Sequence, residues 1–259
     1  MEIVNKSIFV PWDFTEKAEC AFDHAYNLAK TFSKEIVLLN IVDKDKFIPE
    51  AEPKLKEVAE RLQSEKNINV KHVVAAGDLF KTIPNAAKNN DASLIVMGMH
   101  SSKRAIKTVI GSEVPFFIIQ DKPKRDHIIE VVVPIDTDDK NRVQLNWVIY
   151  LAKHFNCNIN IIKPFINRDS KNRKMKANMH FARKALDAKN IVYGIRTAKR
   201  EDKWNHAISH FANEIDSDLI FIMSQDFKKF MKKMEGEDMK IPIICINPAT
   251  GLRLLPDKY

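Results

Sequence analysis

The chain has 259 residues, 45% apolar and 29% charged, with a formal net charge of +8. That length exceeds one small domain and suits two of roughly 125 residues each, and no apolar run approaches the roughly 20 residues of a membrane-spanning helix. Cys20, Cys157 and Cys245 are scattered and form no CxxC pair, which argues against a disulfide framework and a zinc site and favours buried small apolar residues in a reducing compartment.

Ser7–Val10 reads as a short apolar strand that stops at Pro11. The start MEIVNKSIFVPWD therefore has no signal-type core, and the expected location is the cytoplasm. Ala18, Ala21, Phe22, Ala25, Leu28, Ala29 and Phe32 recur at spacings of three and four, the stripe of an amphipathic helix. Thr15 or Asp13 can cap its start. Glu35–Val42 (EIVLLNIV) is a β-branched strand, and Leu55, Val58, Ala59 and Leu62 mark a second helix. Val70–Ala75 is a third strand, with Gly77-Asp78 in the turn after it. A short helix around Pro84–Asn89 leads to strand Ser93–Met97, and Phe116–Ile119 is the fifth strand. Strands apolar on both faces, separated by helices, predict an α/β fold with a doubly wound parallel sheet.

The pattern then repeats. Val10–Asp13 (VPWD) returns as Val133–Asp136 (VPID), Leu28-Ala29-Lys30 as Leu151-Ala152-Lys153, and Phe32 as Phe155. Asp91-Ala-Ser-Leu-Ile matches Asp216-Ser-Asp-Leu-Ile, and Pro115-Phe-Phe-Ile-Ile matches Pro242-Ile-Ile-Cys-Ile. Anchors in one order with slowly drifting spacing predict two copies of one unit, residues 1–122 and 126–259, joined by the polar stretch DKPKRD at 121–126.

Together, VPWDFTEKA, the helix-ending LAK, LLNIVD, the GD turn and above all LIVMGMHSSKRAIKTVIGS resemble the universal stress protein family in tandem form, over nearly the whole chain. The last of these is similar to that family's nucleotide motif, G-x2-G-x9-G-S/T. The resemblance implies two five-stranded sheets of order 3-2-1-4-5, with Asp13 and Gly98 meeting at the switch point between strands one and four, where open α/β sheets bind ligands. It implies that Asp13 meets an adenine edge and Ile41 lines the base pocket, while Met97, Gly98, His100, Ser101, Gly111 and Ser112 surround ribose and phosphates. The implied ligand is ATP or another adenine nucleotide, with no metal beyond the magnesium it carries. It also implies that the two copies pair as an intramolecular pseudo-dimer through their fifth strands, Phe116–Ile119 and Ile243–Ile246, or that the chain pairs with a second copy.

Two departures predict weak binding. Ser101 replaces the motif's second glycine, and only Glu113 and Val114 separate Ser112 from Pro115, where the family continues into a helix. In the second copy Met223, Asp226 and Glu237 stand for Gly98, Ser101 and Ser112, and only Gly236 persists; acids replace phosphate donors. At most one site is therefore expected, in the first copy. Asp13 and its counterpart Asp136 also fit helix capping, and Gly98 and Gly111 also fit ligand-independent turns.

The remaining residues carry less. His206 and His210 lie four apart on a predicted helix, without an HExxH or a third ligand. Trp147 and Trp204 read as core, and Trp12 as core or crevice wall. The basic runs KNRKMK (171–176) and KKFMKK (228–233) lie in a half with 23 Lys/Arg against 17 Asp/Glu, which does not favour nucleic acid over a solvated face. No catalytic constellation is present in the sequence. The expected function is a stress-response regulator or sensor with one weak adenine-nucleotide site. The alternative is a scaffold that acts through an unidentified protein partner, and an enzyme of similar fold is third; no membrane partner is expected.

Overall fold

The computed structural model of the protein describes residues 7–234 and 240–248. The chain divides into two units with the boundary between Asp126 and His127. In the first, strands β1 (Ser7–Pro11), β2 (Glu35–Val42), β3 (Val70–Ala76), β4 (Ala92–Gly98) and β5 (Phe116–Ile119) alternate with helices α1 (Glu16–Phe32), α2 (Ile48–Lys66), α3 (Leu79–Asn89) and α4 (Ser102–Val109). All strand pairs within the unit are parallel, in the order β3-β2-β1-β4-β5. Strand β1 is central, with Pro11 opposite Leu39 of β2 and Phe9 opposite Ile95 of β4. Its Ile8, Phe9 and Val10 are wholly buried, as expected of a strand covered on both faces. Truncating Phe9 to alanine would cost about 3–5 kcal/mol.

Helix α1 buries the stripe its spacing predicts, from Ala18 to Ala29. Two boundaries differ from expectation. Helix α3 starts at Leu79 because the Asp78 carboxylate accepts the Lys81 N–H and caps it, leaving Pro84 inside the helix. Helix α4 is absent from the sequence reading; the Ser101 hydroxyl accepts the Arg104 N–H at its start.

The second unit carries β6 (Glu130–Pro134), α5 (Gln144–Phe155), β7 (Asn158–Lys163), α6 (Asp169–Asp187), β8 (Tyr193–Thr197), α7 (Trp204–Glu214), β9 (Leu219–Met223), α8 (Ser224–Lys233) and β10 (Ile243–Ile246). Its order, β8-β7-β6-β9-β10, is also parallel and repeats the first sheet. The repeat extends to backbone dihedrals. Ser33 (φ 53°) and Asn156 (φ 51°) end the first helix of each unit, and Asp91 (φ 50°) and Asp216 (φ 49°) precede the fourth strand. Each turns the chain in the left-handed region, which non-glycine residues seldom enter. Gly236 and Glu237 lie outside the described residues.

Candidate functional site

Strands β1 and β4 are neighbours, yet the chain leaves them toward different crossovers. Their following loops leave a cleft that is partly open to solvent. Trp12 and Asp13 line it after β1, Asn40 and Ile41 from β2, and Met97, Gly98 and His100 at the end of β4. Leu79 and Ile83 of α3 and Arg104, Ala105 and Thr108 of α4 close one wall. The lining is mainly apolar with a few polar groups, the character of a small-molecule site.

Asp13 is held by its own loop. Phe14 takes φ 61°, a conformation that costs a bulky residue about 1–2 kcal/mol. The reversal brings Thr15 back so that its N–H and hydroxyl both donate to Asp13 Oδ1, at 3.2 and 2.6 Å. Asp13 Oδ2 lies 2.7 Å from His100 Nε2. Below them, buried Asn40 donates from Nδ2 to the Trp12 carbonyl at 2.7 Å and pins the loop to β2. Trp12 is itself 3% exposed, and its indole N–H has no acceptor among the described residues, an uncommon state for a buried donor.

The eight residues implied by the resemblance separate. Asp13, Ile41, Met97, Gly98 and His100 line the cleft; Ser101, Gly111 and Ser112 do not. Ser101 is the N-cap of α4, so its Cβ does not intrude where a ligand would touch backbone. Ser112 is buried, with Oγ donating to the Val114 carbonyl at 2.7 Å and accepting the Val114 N–H at 3.2 Å. Its hydroxyl is engaged in the turn into β5. Gly111 has φ 88°, with nothing within 4 Å of an added Cβ; its glycine serves the turn. Glu113 pairs with Lys88 at 2.5 Å and is not in the lining. Gly98 has a structural reason of its own: a Cβ there would lie 2.5 Å from the Lys17 carbonyl oxygen in the first turn of α1.

Arg104 and His100 are the basic side chains in the lining. Sequence reading missed Arg104 and Thr108 because it placed no helix at 102–109. The available signal was Ser101 as a cap, followed by Ala105 and Val109 at apolar spacing.

The matching cleft of the second unit is lined by Asp136, Asn141, Met223, Asp226 and Lys229 among others. Asp136 Oδ1 accepts the Asp138 N–H at 2.7 Å and Asn141 Nδ2 at 2.6 Å. The aspartate common to both units thus makes the same bond to the N–H two residues on, and loop geometry alone accounts for its presence in each. Partial burial first, then the charges of Asp136 and Asp138, push the Asp226 pKa up. A phosphate would meet the same repulsion.

Elsewhere, no group of three His, Cys, Asp or Glu among the described residues is placed to hold a metal, and no helix among them is long and apolar enough to cross a membrane. All three cysteines are free and buried, and burial pushes the Cys157 thiol up to about 12. Trp147 is buried, while Trp204 lines the second cleft.

Residues 5–114 match the model of the universal stress protein family. That stretch lies within the first unit, which is similar to universal stress protein domains. Universal stress protein MJ0577 of Methanocaldococcus jannaschii is 22% identical over 142 residues, 43% of this chain and 87% of that protein. The crystal structure of a universal stress protein from Archaeoglobus fulgidus DSM 4304 aligns with 95% of this chain and 97% of its own, at 19% identity and a TM-score of 0.75. A functionally unknown protein from Pseudomonas aeruginosa PAO1 aligns with 96% of this chain and 95% of its own, at 12% identity and a TM-score of 0.66. At these identities the two structures establish the fold alone, over both units.

Proposed function

We propose that the cleft of the first unit binds the nucleoside part of an adenine nucleotide, weakly and one per chain, and that the protein works as a cytoplasmic stress-response regulator rather than a turnover enzyme. The observation that carries this is the convergence of Asp13, Ile41, Met97, Gly98 and His100 on one largely apolar cleft at the β1/β4 switch. The base lies against Ile41 and Met97, with a hydrogen bond to Asp13. Phosphates gain little, because the Ser101 and Ser112 hydroxyls bond within the fold and the Arg104 that lines the cleft is exposed. The expected Kd is about 0.1 mM or weaker, roughly −5.5 kcal/mol. Any magnesium arrives with the nucleotide. In the second unit Asp136 and Asp226 in the matching cleft disfavour a phosphate, so no second nucleotide is expected there.

Calorimetric titration with adenosine, AMP, ADP and ATP tests the reading. The expected result is one site whose affinity changes less than about fivefold with phosphate number, since exposed charges contribute at most about 1 kcal/mol. Absence of heat with every adenine compound at millimolar concentration would overturn it. So would ATP binding a hundredfold tighter than adenosine, because that requires a working phosphate cradle.

A further inference from the structure

Helix α6 has an unusual charge pattern. Between Asp169 and Asp187 it carries Lys171, Arg173, Lys174, Lys176, Arg183 and Lys184 and no acid. All six are exposed, and among the described residues none has a salt-bridge partner, unlike the paired lysines of α2. At 100° per residue, Arg173, Lys176, Arg183 and Lys184 fall on one side of the helix with His180. They form a stripe about 17 Å long at 1.5 Å per residue. Helix α6 itself thus contributes no acid to this face. Asp187, at the helix end, is engaged by the Tyr193 hydroxyl at 3.0 Å.

Beside the stripe, Phe181 is 42% exposed, with the Arg142 guanidinium 5.1 Å from its ring. Arg142 is fixed there by Asn178 at 3.1 Å and Asp139 at 3.4 Å. The opposite face of α6, Met175, Met179, Ala182 and Leu186, is buried in the unit's core. No apolar face is left to enter a bilayer, which an interfacial helix needs. What remains is a row of exposed cations without salt-bridge partners among the described residues, with an aromatic–guanidinium platform at its edge. A phosphodiester backbone whose bases stack on aromatic side chains fits both parts.

We infer that the exposed face of α6 docks on nucleic acid through its phosphate backbone, without sequence preference, and independently of the nucleotide cleft. Neutralising three to four phosphates makes the affinity for a single strand fall roughly 20- to 50-fold between 50 and 200 mM salt.

The test is fluorescence anisotropy of the full chain with a labelled 20-nucleotide single-stranded RNA of mixed sequence, and with a duplex DNA of the same length. Wild type is expected to bind both at 50 mM salt with that salt dependence. The triple variant R173E/K176E/K184E is expected to lose at least tenfold in affinity, with a salt slope smaller by about 2. A control of equal charge change, K30E/K44E/K56E on the first unit, is expected to stay within about threefold of wild type. Phe181→Ala is expected to weaken the single strand more than the duplex. Circular dichroism keeps misfolding of these exposed substitutions apart from loss of contact. The inference is overturned if wild type binds neither nucleic acid at 50 mM salt, or if the control loses as much as the triple variant. Co-sedimentation with phosphatidylserine vesicles that excess RNA does not reverse also overturns it.

Discussion

His100 Nε2 and Asp13 Oδ2 lie 2.7 Å apart, and this contact joins the loop after β1 to the loop after β4 across the mouth of the cleft. With Thr15 supplying two donors to Oδ1, three of the carboxylate's roughly four lone-pair positions are in use. A ligand amine that seeks Asp13 must compete with His100. Both side chains are substantially exposed, 37% and 49%, so the contact contributes at most about 1 kcal/mol. His100→Ala is expected to tighten AMP binding by up to about fivefold, and Asp13→Asn to weaken it. Calorimetry on the two variants decides: weaker binding by His100→Ala would mean that the imidazole is a ligand contact and not a latch.

Ser101 gives a second contrast. As the N-cap of α4 it accepts the Arg104 N–H at 3.3 Å, and it does not line the cleft. Ser101→Ala is expected to lower stability by about 1 kcal/mol, and Ser101→Gly by a few tenths, since glycine is a tolerable cap. Neither should change nucleotide affinity by more than about twofold. Urea denaturation and AMP titration of both variants measure this. A glycine variant that binds tenfold tighter would show that the serine side chain obstructs a ligand after all.

The helical stripe of α1 was legible from periodicity and the doubling from anchors that occur twice, whereas the strand order and the position of the crevice followed from the family resemblance. Ile41, Met97 and Gly98 lie at the carboxyl ends of β2 and β4, and Asp13 and His100 just beyond β1 and β4, so fixing the strands fixes their place. The roles of Ser101 and Ser112 were not legible, and Gly111 fitted a turn and a ligand contact equally. A glycine kept for φ 88° and a glycine kept for phosphate look alike in sequence, and a serine hydroxyl turned back on Val114 looks like one free to donate. The His100–Asp13 contact was equally hidden, because 87 residues separate its partners and only the β1/β4 pairing brings them together.

The two glycines of the motif are expected to fail differently. An added Cβ at Gly98 meets the Lys17 carbonyl at 2.5 Å, a backbone atom in the first turn of α1. Gly98→Ala must therefore displace α1 from β4 beside the cleft, and about 1–3 kcal/mol of destabilisation is expected from overpacking, with loss of nucleotide binding. At Gly111 the space is open and only the backbone sign matters. Gly111→Ala is expected to lose about 1 kcal/mol and to bind AMP as wild type does. Gly111→Asp should behave alike, because the position lies outside the cleft. Denaturation curves paired with titrations separate the cases, and loss of AMP binding by a folded Gly111→Asp protein would return Gly111 to the site.

His24 sets one pH dependence of the first unit. Its ring is 8% exposed, with Nε2 3.0 Å from the Asp121 carbonyl oxygen, and burial lowers its pKa although that hydrogen bond and Asp23 oppose the shift. With the folded pKa below the unfolded value of about 6.5, acid protonates the unfolded chain first. His24 therefore contributes no penalty above about pH 6.5, and stability is lost as pH falls from there toward the folded pKa, at no more than about 1.4 kcal/mol per pH unit. Asp226 acts oppositely: its raised pKa means the folded state takes up its proton first, so acidification relieves that strain. The clean readout is thus the difference between wild type and His24→Gln, whose amide can still donate to Asp121. Urea denaturation from pH 7.5 to 5 is expected to show the variant gaining on wild type below pH 6.5. A difference that stays flat across that range would mean that the buried ring accepts its proton without loss.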